Sequence, residues 1–448
     1  MKIKSIAFTA LALTALTATG QKTWTLEECV DYAMQHNITL KKNAQAEALS
    51  TVEVDRAKGA LLPSLSASVV QGLTYRPFQE TGGSMVNGGI ASSAADKATQ
   101  TGQYGVNASW TVWDGGQNKY NIQNAELNRE SAALTTLQTA NSIEEQIAQL
   151  YVQTLYTREA LKTYRQLLAA DSTIYERAQT MYQNGKLSRA DVVRLKSQVS
   201  SARYDVVNAQ SQIDLCKMQL RQLLELDYNE EFEIADLPVS NETVAALIPS
   251  LTDAYLAALG QRPEIAQSEL AVDQSRLATK IARTGYLPSI SLTGGVGDSH
   301  LTGTSQNFFN QMKNNFNANV GLSVSIPIFD KRQTKSEVEK ARVQEVVSDL
   351  DLLDAQKTLY KTVEGFWQSA TTSRQKYLAS VENVESAQAS YELLTEQFNV
   401  GVKNIADLLT GRSTLLTAKQ NLLQDKYTAV LNRALLDFYA TGEFRALQ

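Results

Sequence analysis

The chain is written twice, which restricts it to folds assembled from two copies of one unit. Leu62-Pro63-Ser64-Leu65 recurs as Leu287-Pro288-Ser289-Ile290, at an offset of 225 from Pro63 to Pro288. At the same offset Thr25-Leu26-Glu27-Glu28 meets Ser250-Leu251-Thr252-Asp253. Trp110-Thr111-Val112-Trp113-Asp114 recurs as Ile326-Pro327-Ile328-Phe329-Asp330, where the offset from Trp113 to Phe329 is 216 residues. That second offset still aligns Tyr182-Gln183-Asn184-Gly185 with Phe398-Asn399-Val400-Gly401, and Ala190-Asp191-Val192 with Ala406-Asp407-Leu408. The halves share one order of elements and differ in length only between their two strand-like stretches. The boundaries expected are 1–20 for a leader, 21–226 for the first repeat, 227–249 for a linker and 250–448 for the second repeat.

Each half reads helix, strand, loop, strand, long helix, turn, helix. Thr25 with Glu28 is a capping-box pattern, and Ser250 with Asp253 is similar. The first helices are expected to run to about Ala60 and Tyr286. There Pro63 and Pro288 stop them, because the residue before a proline is pushed into extended conformation.

Four strands follow period two. Leu65, Ala67, Val69, Leu73 and Tyr75 share one face against Ser64, Ser66, Ser68 and Thr74. Tyr104, Val106, Ala108, Trp110 and Val112 oppose Gln103, Gly105, Asn107, Ser109 and Thr111. In the second half, Ile290, Leu292 and Val296 oppose Ser291, Thr293 and Gly297. Ala318, Val320, Leu322, Val324, Ile326 and Ile328 oppose Asn319, Gly321, Ser323 and Ser325. Alternation over about ten residues is what a tilted strand needs to cross a bilayer. The polar faces suit a wet lumen. Tyr75, Trp110, Trp113 and Phe329 fall near strand ends, where membrane-interface aromatics sit. Ordinary half-solvated sheets also alternate, so strand length and the leader decide for the membrane. Segments 76–100 and 299–316, rich in Gly, Ser, Asn and Gln, read as loops beyond it.

The remainder is helix. Asp114 and Asp330 stand where N-caps are needed. The pattern stays helical over residues 116–182 and 331–398, about 100 Å each at about 1.5 Å per residue. Ile143, Ile147 and Leu150, and likewise Val346, Leu350 and Leu353, recur at coiled-coil-like spacing. Turns at Gly185 and Gly401 send the chain back into helices near 189–226 and 405–439. Each return helix, added to the first helix of its half, matches one long helix in length.

Composition excludes several functions. Lys and Arg number 42 against 47 acids, a net −5, without the basic face of a nucleic-acid binder. Cys29 and Cys216 support neither a disulfide framework nor a thiolate metal site, and both read as packed small residues. His36 reads as ending a helix segment and His300 as a loop residue, neither with a partner at ligand spacing. No catalytic residue, metal or cofactor is expected, and a secreted hydrolase lacks its nucleophile motif. Met1-Lys2-Ile3-Lys4, the apolar run from Ile6 to Ala18, and Ala18-Thr19-Gly20 read as a secretory signal peptide. Lipidation is not expected, since Cys29 follows Glu27-Glu28. No later run of about 18 residues is apolar enough for a membrane helix.

Four strands cannot close a barrel, and open edges are forbidden in lipid. Three copies would give a 12-stranded β-barrel with room inside, continued by an α-helical barrel of antiparallel hairpins. The expected fold is thus an α+β membrane protein with four transmembrane strands per chain. The whole mature chain resembles the outer membrane efflux protein family of TolC-like channels. The duplication carries the resemblance, with the Leu-Pro-Ser entries at Leu62 and Leu287, Trp113-Asp114-Gly115-Gly116 and Phe329-Asp330. Most specific is aromatic-x-x-Gly-x5-Asp at Tyr182-Gly185-Asp191 and Phe398-Gly401-Asp407. The resemblance implies a homotrimeric, passive outer-membrane exit duct reaching into the periplasm of a Gram-negative cell. Its partners would be outer-membrane lipid, a periplasmic adaptor and an inner-membrane pump of RND or ABC type, in efflux or type I secretion.

The resemblance also implies a periplasmic aperture formed by Asp191, Asp407, Lys403, Tyr182 and Phe398. It implies an adaptor-contact tip at Gly185, Lys186, Leu187, Ser188, Gly401, Val402 and Asn404. Lys403 stands where TolC-like gates carry an arginine, Phe398 replaces a gate tyrosine and Thr410 a second acid. Replacing arginine by lysine loses bidentate bonding. From the residues alone each aspartate also reads as a helix-start acid, and the tips as plain surface hairpins. The competing class is a periplasmic or surface coiled-coil structural protein without a pore.

Overall fold

Capping chemistry opens the first helix as its sequence requires. In the computed structural model, Thr25 Oγ1 accepts from Glu28 N at 3.2 Å, and Glu28 accepts from Thr25 N at 2.9 Å. The structure describes residues 23–78, 83–86, 89–92, 97–227, 232–237, 241–302 and 306–444. The leader and Pro238 lie outside them. In chain order the elements are β1 (Thr23–Trp24), α1 (Leu26–His36), α2 (Ile38–Gly59), β2 (Ser64–Tyr75), β3 (Gly83–Val86), β4 (Gly89–Ser92) and β5 (Ala98–Trp113). Next come α3 (Gln117–Gln183), α4 (Arg189–Leu223), β6 (Glu233–Ile234), α5 (Asn241–Ala245), α6 (Leu251–Gln261) and α7 (Pro263–Thr284). The chain ends with β7 (Ser289–Leu301), α8 (Phe308–Asn315), β8 (Asn317–Ser325), α9 (Gln333–Asn399) and α10 (Ile405–Thr441).

The duplication is visible in these lengths. α3 and α9 have 67 residues each, and their return helices α4 and α10 have 35 and 37. α1 and α6 have 11 residues each, α2 and α7 have 22 each. The expected length match therefore holds in both halves. The first helix of each half is not continuous, contrary to expectation. It breaks at Asn37 and, at the equivalent place, at Arg262 before Pro263. Asn37 is buried, takes ψ 127, and its Oδ1 accepts from Thr39 N at 2.9 Å. Its Nδ2 donates to Leu223 O at 3.1 Å. At Arg262 the following proline forbids helical ψ, and the guanidinium stacks 4.2 Å over Tyr439. α1 does end at His36, as expected.

Two compact units cut across the repeat, each drawing segments from both halves. One takes the described residues up to Lys42, Thr136–Pro263 and the chain from Gln356 onward. Its core gathers Trp24, Cys29, Ile147, Tyr151, Leu220, Ala434 and Phe438. Tyr151 donates to Ala235 O at 3.0 Å, and burial pushes its phenol above the usual range. The linker is not bare loop: β6 pairs in parallel with β1, and α5 follows. Below, α3 and α4 pack through Leu161, Ala209 and Ile213, and α9 and α10 through Ala387, Leu415 and Ala418.

The other unit comprises Asn43–Thr135 and Glu264–Ala355. It holds one four-stranded antiparallel sheet in the order β2-β5-β7-β8. Thus β5 of the first half pairs with β7 of the second, joining the repeats in one sheet. Both faces of this sheet are largely exposed, including Leu65, Val69, Leu73, Val320 and Leu322. The helices beneath keep the strand order. Lys58 on α2 approaches Glu126 on α3, Gln274 on α7 bonds Asn128 on α3, and Arg276 on α7 approaches Glu345 on α9. Asp114 and Asp330 act as the expected caps, accepting from Asn118 N at 2.8 Å and Thr334 N at 2.7 Å. Two segments expected as plain loops carry structure, the β3–β4 hairpin and α8. Among the described residues, no helix is long and apolar enough to cross a membrane.

Candidate functional site

The sheet sorts its side chains by pleat parity. Cross-strand rows on one face run Ala67, Val106, Val296, Ala318, and next to them Leu65, Ala108, Gly294, Val320. The alternate rows run Ser66, Asn107, Gly295, Asn319, and Ser64, Ser109, Thr293, Gly321. In these rows, nearest the helices, one face is thus apolar across all four strands and the other is small, uncharged and polar; farther along, the first face also carries Gln71, Asp298 and His300. At Gly295 a Cβ would meet Asn107 Oδ1 at 2.8 Å and Asn319 Oδ1 at 3.1 Å, so glycine lets both amides fill that row without shifting. Among the described residues, β2 and β8 leave their outer edges unpaired.

The four expected interface aromatics mark the ends of the sheet. Tyr75 closes β2 at the end far from the helices and pairs with Ala98. Trp113 ends β5 on the helix side, and Phe329 lies just past β8, exposed. Trp110 Nε1 donates to Leu61 O at 2.8 Å, tying the strand to the end of α2. A register shift between Thr111 and Trp113 sets Trp113 opposite Ile290. Strict alternation had given that place to Val112.

At the opposite ends of the long helices, two equivalent turns reverse the chain. Gly185 and Gly401 take φ of +71° and +80°, the left-handed region in which glycine has no Cβ penalty. Lys186 N bonds Met181 O at 2.8 Å, and Val402 N bonds Gln397 O at 2.9 Å. Ser188 and Asn404 then cap the return helices, accepting from Asp191 N at 3.1 Å and Asp407 N at 2.9 Å. Ser188 Oγ also donates to Asp191 Oδ2 at 2.6 Å, and Lys403 Nζ lies 3.6 Å from Asp407 Oδ2. Both aspartates are therefore held in the first helical turn, partly exposed. Gly185, Lys186, Ser188, Gly401, Val402 and Asn404 are exposed, as is Tyr182, while Leu187 is half-buried. Phe398 is different. It is 4% exposed and packs with Ala178, Leu195, Ile405 and Leu408, so its ring joins the two turns from within.

The sequence reading missed the charged group behind these turns. Arg412 of α10 reaches Asp171 of α3 with Nε to Oδ1 at 3.0 Å and Nη2 to Oδ2 at 2.7 Å. The side chains are 7% and 4% exposed. This two-pronged bridge joins the hairpin of the first repeat to that of the second. Gln198 of α4 adds an amide oxygen 2.8 Å from Arg412 Nη1 in the orientation that pairs both its ends. Burial raises the Tyr391 phenol above its ordinary value, and the Asp171 carboxylate adds to that. Burial likewise raises the Asp205 carboxyl, with Arg412 acting against it. The signal was available: Arg412 lies in the stripe Leu408, Arg412, Leu415, and Asp171 in Leu167, Asp171, Ala178. A charge inside an apolar stripe needs a partner. Among the described residues no cluster of His, Cys, Asp or Glu could hold a metal ion.

The outer membrane efflux protein family model matches residues 29–225 and again 254–441. The chain is 26% identical to the outer membrane protein TolC of Escherichia coli over 436 residues, 91% of this chain and 80% of that one. It is also 26% identical to TolC of Salmonella enteritidis over 330 residues, spanning 69% of this chain and 65% of that one. A crystal structure of CusC, described in terms of transmembrane channel formation, superposes with a TM-score of 0.78 at 17% identity, covering 95% of each chain.

Proposed function

The chain belongs to the outer membrane efflux protein family, and from that premise we propose that it is a passive exit duct carrying solutes from the periplasm across the outer membrane. One observation carries this reading most directly. Over the rows nearest the helices the four-stranded sheet is apolar on one face and polar and uncharged on the other, and among the described residues it is open at both edges. An open edge is excluded from lipid, so β8 of one copy pairs with β2 of the next. Three copies make a 12-stranded barrel, with the Ser, Asn and Gly rows lining water and the Leu and Val rows facing lipid. Rows without formal charge pass solutes of either sign, which suits a conduit whose specificity lies elsewhere.

The protein works with a periplasmic adaptor and an inner-membrane pump, of RND or ABC type. The duct supplies no energy itself. Asp191, Asp407, Lys403 and Tyr182 line the periplasmic aperture, with Phe398 supporting them from inside the tip. Gly185, Lys186, Leu187, Ser188, Gly401, Val402 and Asn404 meet the adaptor. The exposed apolar Val400 and Val402, at 74% and 72%, support a protein contact there. The buried Arg412–Asp171 bridge holds the two hairpins of one chain together behind that aperture.

The test is the native mass of the protein extracted in detergent from isolated outer membranes, followed by conductance in a planar bilayer. A membrane-derived trimer with a stable open or gated current is expected. A soluble monomer or dimer absent from that membrane would refute the duct and leave the coiled-coil structural protein.

A further inference from the structure

Where the strands give way to helices, α7, α9 and the start of α3 enclose a cleft of about 650 Å³. Lys280 and Arg283 line it from α7, Lys335 and Arg342 from α9, against the single carboxylate of Glu339. Lys335 lies 3.9 Å from Glu339. Lys280, Arg283 and Arg342 form no ion pair among the described residues, in a chain whose net charge is −5. Four cations gathered in one concavity against a single acid form a site for an anion. Asp330, just before α9, does not line the cleft; its carboxylate caps α9 by accepting from Thr334 N at 2.7 Å.

The cleft's level fixes the kind of anion. Gly115 and Leu287, which close one end of it, lie two residues from the helix-side ends of β5 and β7. Gly115 takes φ +71°, and a Cβ there would stand 2.8 Å from Leu287 Cβ, so glycine allows this close junction. Tyr120, Tyr286 and Leu287 give the walls aromatic and apolar surface beside the cations. Basic groups over aromatic and apolar walls, at the edge of a membrane-spanning layer, match a lipid phosphate with the start of its acyl chains.

We propose that this cleft binds the phosphate of an anionic phospholipid in the periplasmic leaflet of the outer membrane, an inference that rests on the sheet spanning that membrane. The lipid seats the strand-to-helix junction at a fixed depth. Lys280, Arg283 and Arg342 hold the phosphate, and Tyr120, Tyr286 and Leu287 hold the glycerol and upper chains.

The full mature protein is placed in nanodiscs of phosphatidylcholine alone or mixed with phosphatidylglycerol, and retained lipid is counted by native mass spectrometry after release. The parent is expected to retain phosphatidylglycerol over phosphatidylcholine. The triple variant Lys280→Gln, Arg283→Gln, Arg342→Gln is expected to lose about a hundredfold, at about fivefold per cation. Glu339→Gln, which removes the one carboxylate, is expected to retain at least as much as the parent, and so guards against simple misfolding of the triple variant. Equal retention by parent and triple variant would overturn the proposal. So would saturation of the detergent-solubilised protein by inorganic phosphate without any phosphatidylglycerol enrichment, since the source would then be a soluble anion. Incorporation into the discs is scored separately by size exclusion. Failure at that step would overturn the membrane reading and this inference with it.

Discussion

Replacing Asp171 by asparagine isolates the contribution of the buried bridge between the two hairpins. At 2.7 Å and an effective dielectric near 20, the pair attracts by about 6 kcal/mol. Desolvation of two ions takes back several kcal/mol each, so the intact bridge is near neutral as a net stabiliser. Removing one partner is a different matter. Arg412, 7% exposed, would keep its charge with only Gln198 and the more distant Asp205 to answer it. Such orphaned charges cost about 3–5 kcal/mol, and the remaining neighbours place this one near about 3 kcal/mol. The readout is backbone hydrogen exchange over residues 408–416 in the detergent-solubilised protein, which reports local opening. A loss of about 3 kcal/mol lowers protection there by about 150-fold. The double variant Asp171→Asn with Arg412→Met is expected to recover most of that, because no charge is left unpaired. A single-variant effect below about threefold, or a double variant no better than Asp171→Asn, would refute the claim that pairing rather than packing governs this site.

Three further outcomes follow from the same structure. On the sheet, Leu322→Arg sets a charge on the apolar face and is expected to destabilise the membrane-inserted protein by about 2–4 kcal/mol, while Asn319→Arg on the polar face leaves insertion intact and alters ion selectivity; detergent-free refolding into vesicles and bilayer conductance separate the two. At the tip, Gly401→Ala is expected to cost about 1–2 kcal/mol of local stability, since φ is +80° and no atom lies within 4 Å to blame for a clash. Hydrogen exchange at residues 397–408 would record it, and an unchanged profile would count against the left-handed turn. Finally, burial first and the Asp31 charge second raise the Glu144 carboxyl above its ordinary value. A raised acid favours the folded state while protonated and loses that contribution as pH rises through its folded value. Glu144→Gln is therefore expected to raise Tm at pH 7.5 and to leave it nearly unchanged at pH 4.

Several residues of local consequence were found by reading the chain alone. Pro63 and Pro288 end helices, Gly185 and Gly401 turn the chain, and Asp114 and Asp330 cap, because each acts on backbone within four residues of itself. The breaks at Asn37 and at Arg262 before Pro263 were not read, although the Asn37 cap on Thr39 N and the proline are local signals; the bond from Asn37 to Leu223, far along the chain, could come only from the fold. The same limit hid the Arg412–Asp171 bridge: each charge in its apolar stripe predicted a partner, but not which one. Phe398 shows the converse. Its match to a gate position gave it an aperture role, while its neighbours Leu195 and Leu408, from two different helices, make it core.

The sequence by itself determined the repeat, the four long strands and their faces, the long helices and the turns that reverse them, for periodicity and capping are written in consecutive residues. Only the tertiary structure decided that β5 pairs with β7 to make one sheet of two repeats, and that compact units cut across the duplication. It alone gathered cations from two helices into one cleft. The physical reason is the same in each case. Pairing, burial of charge and cavity formation depend on which surfaces meet, and residues hundreds of positions apart meet only when the chain has folded.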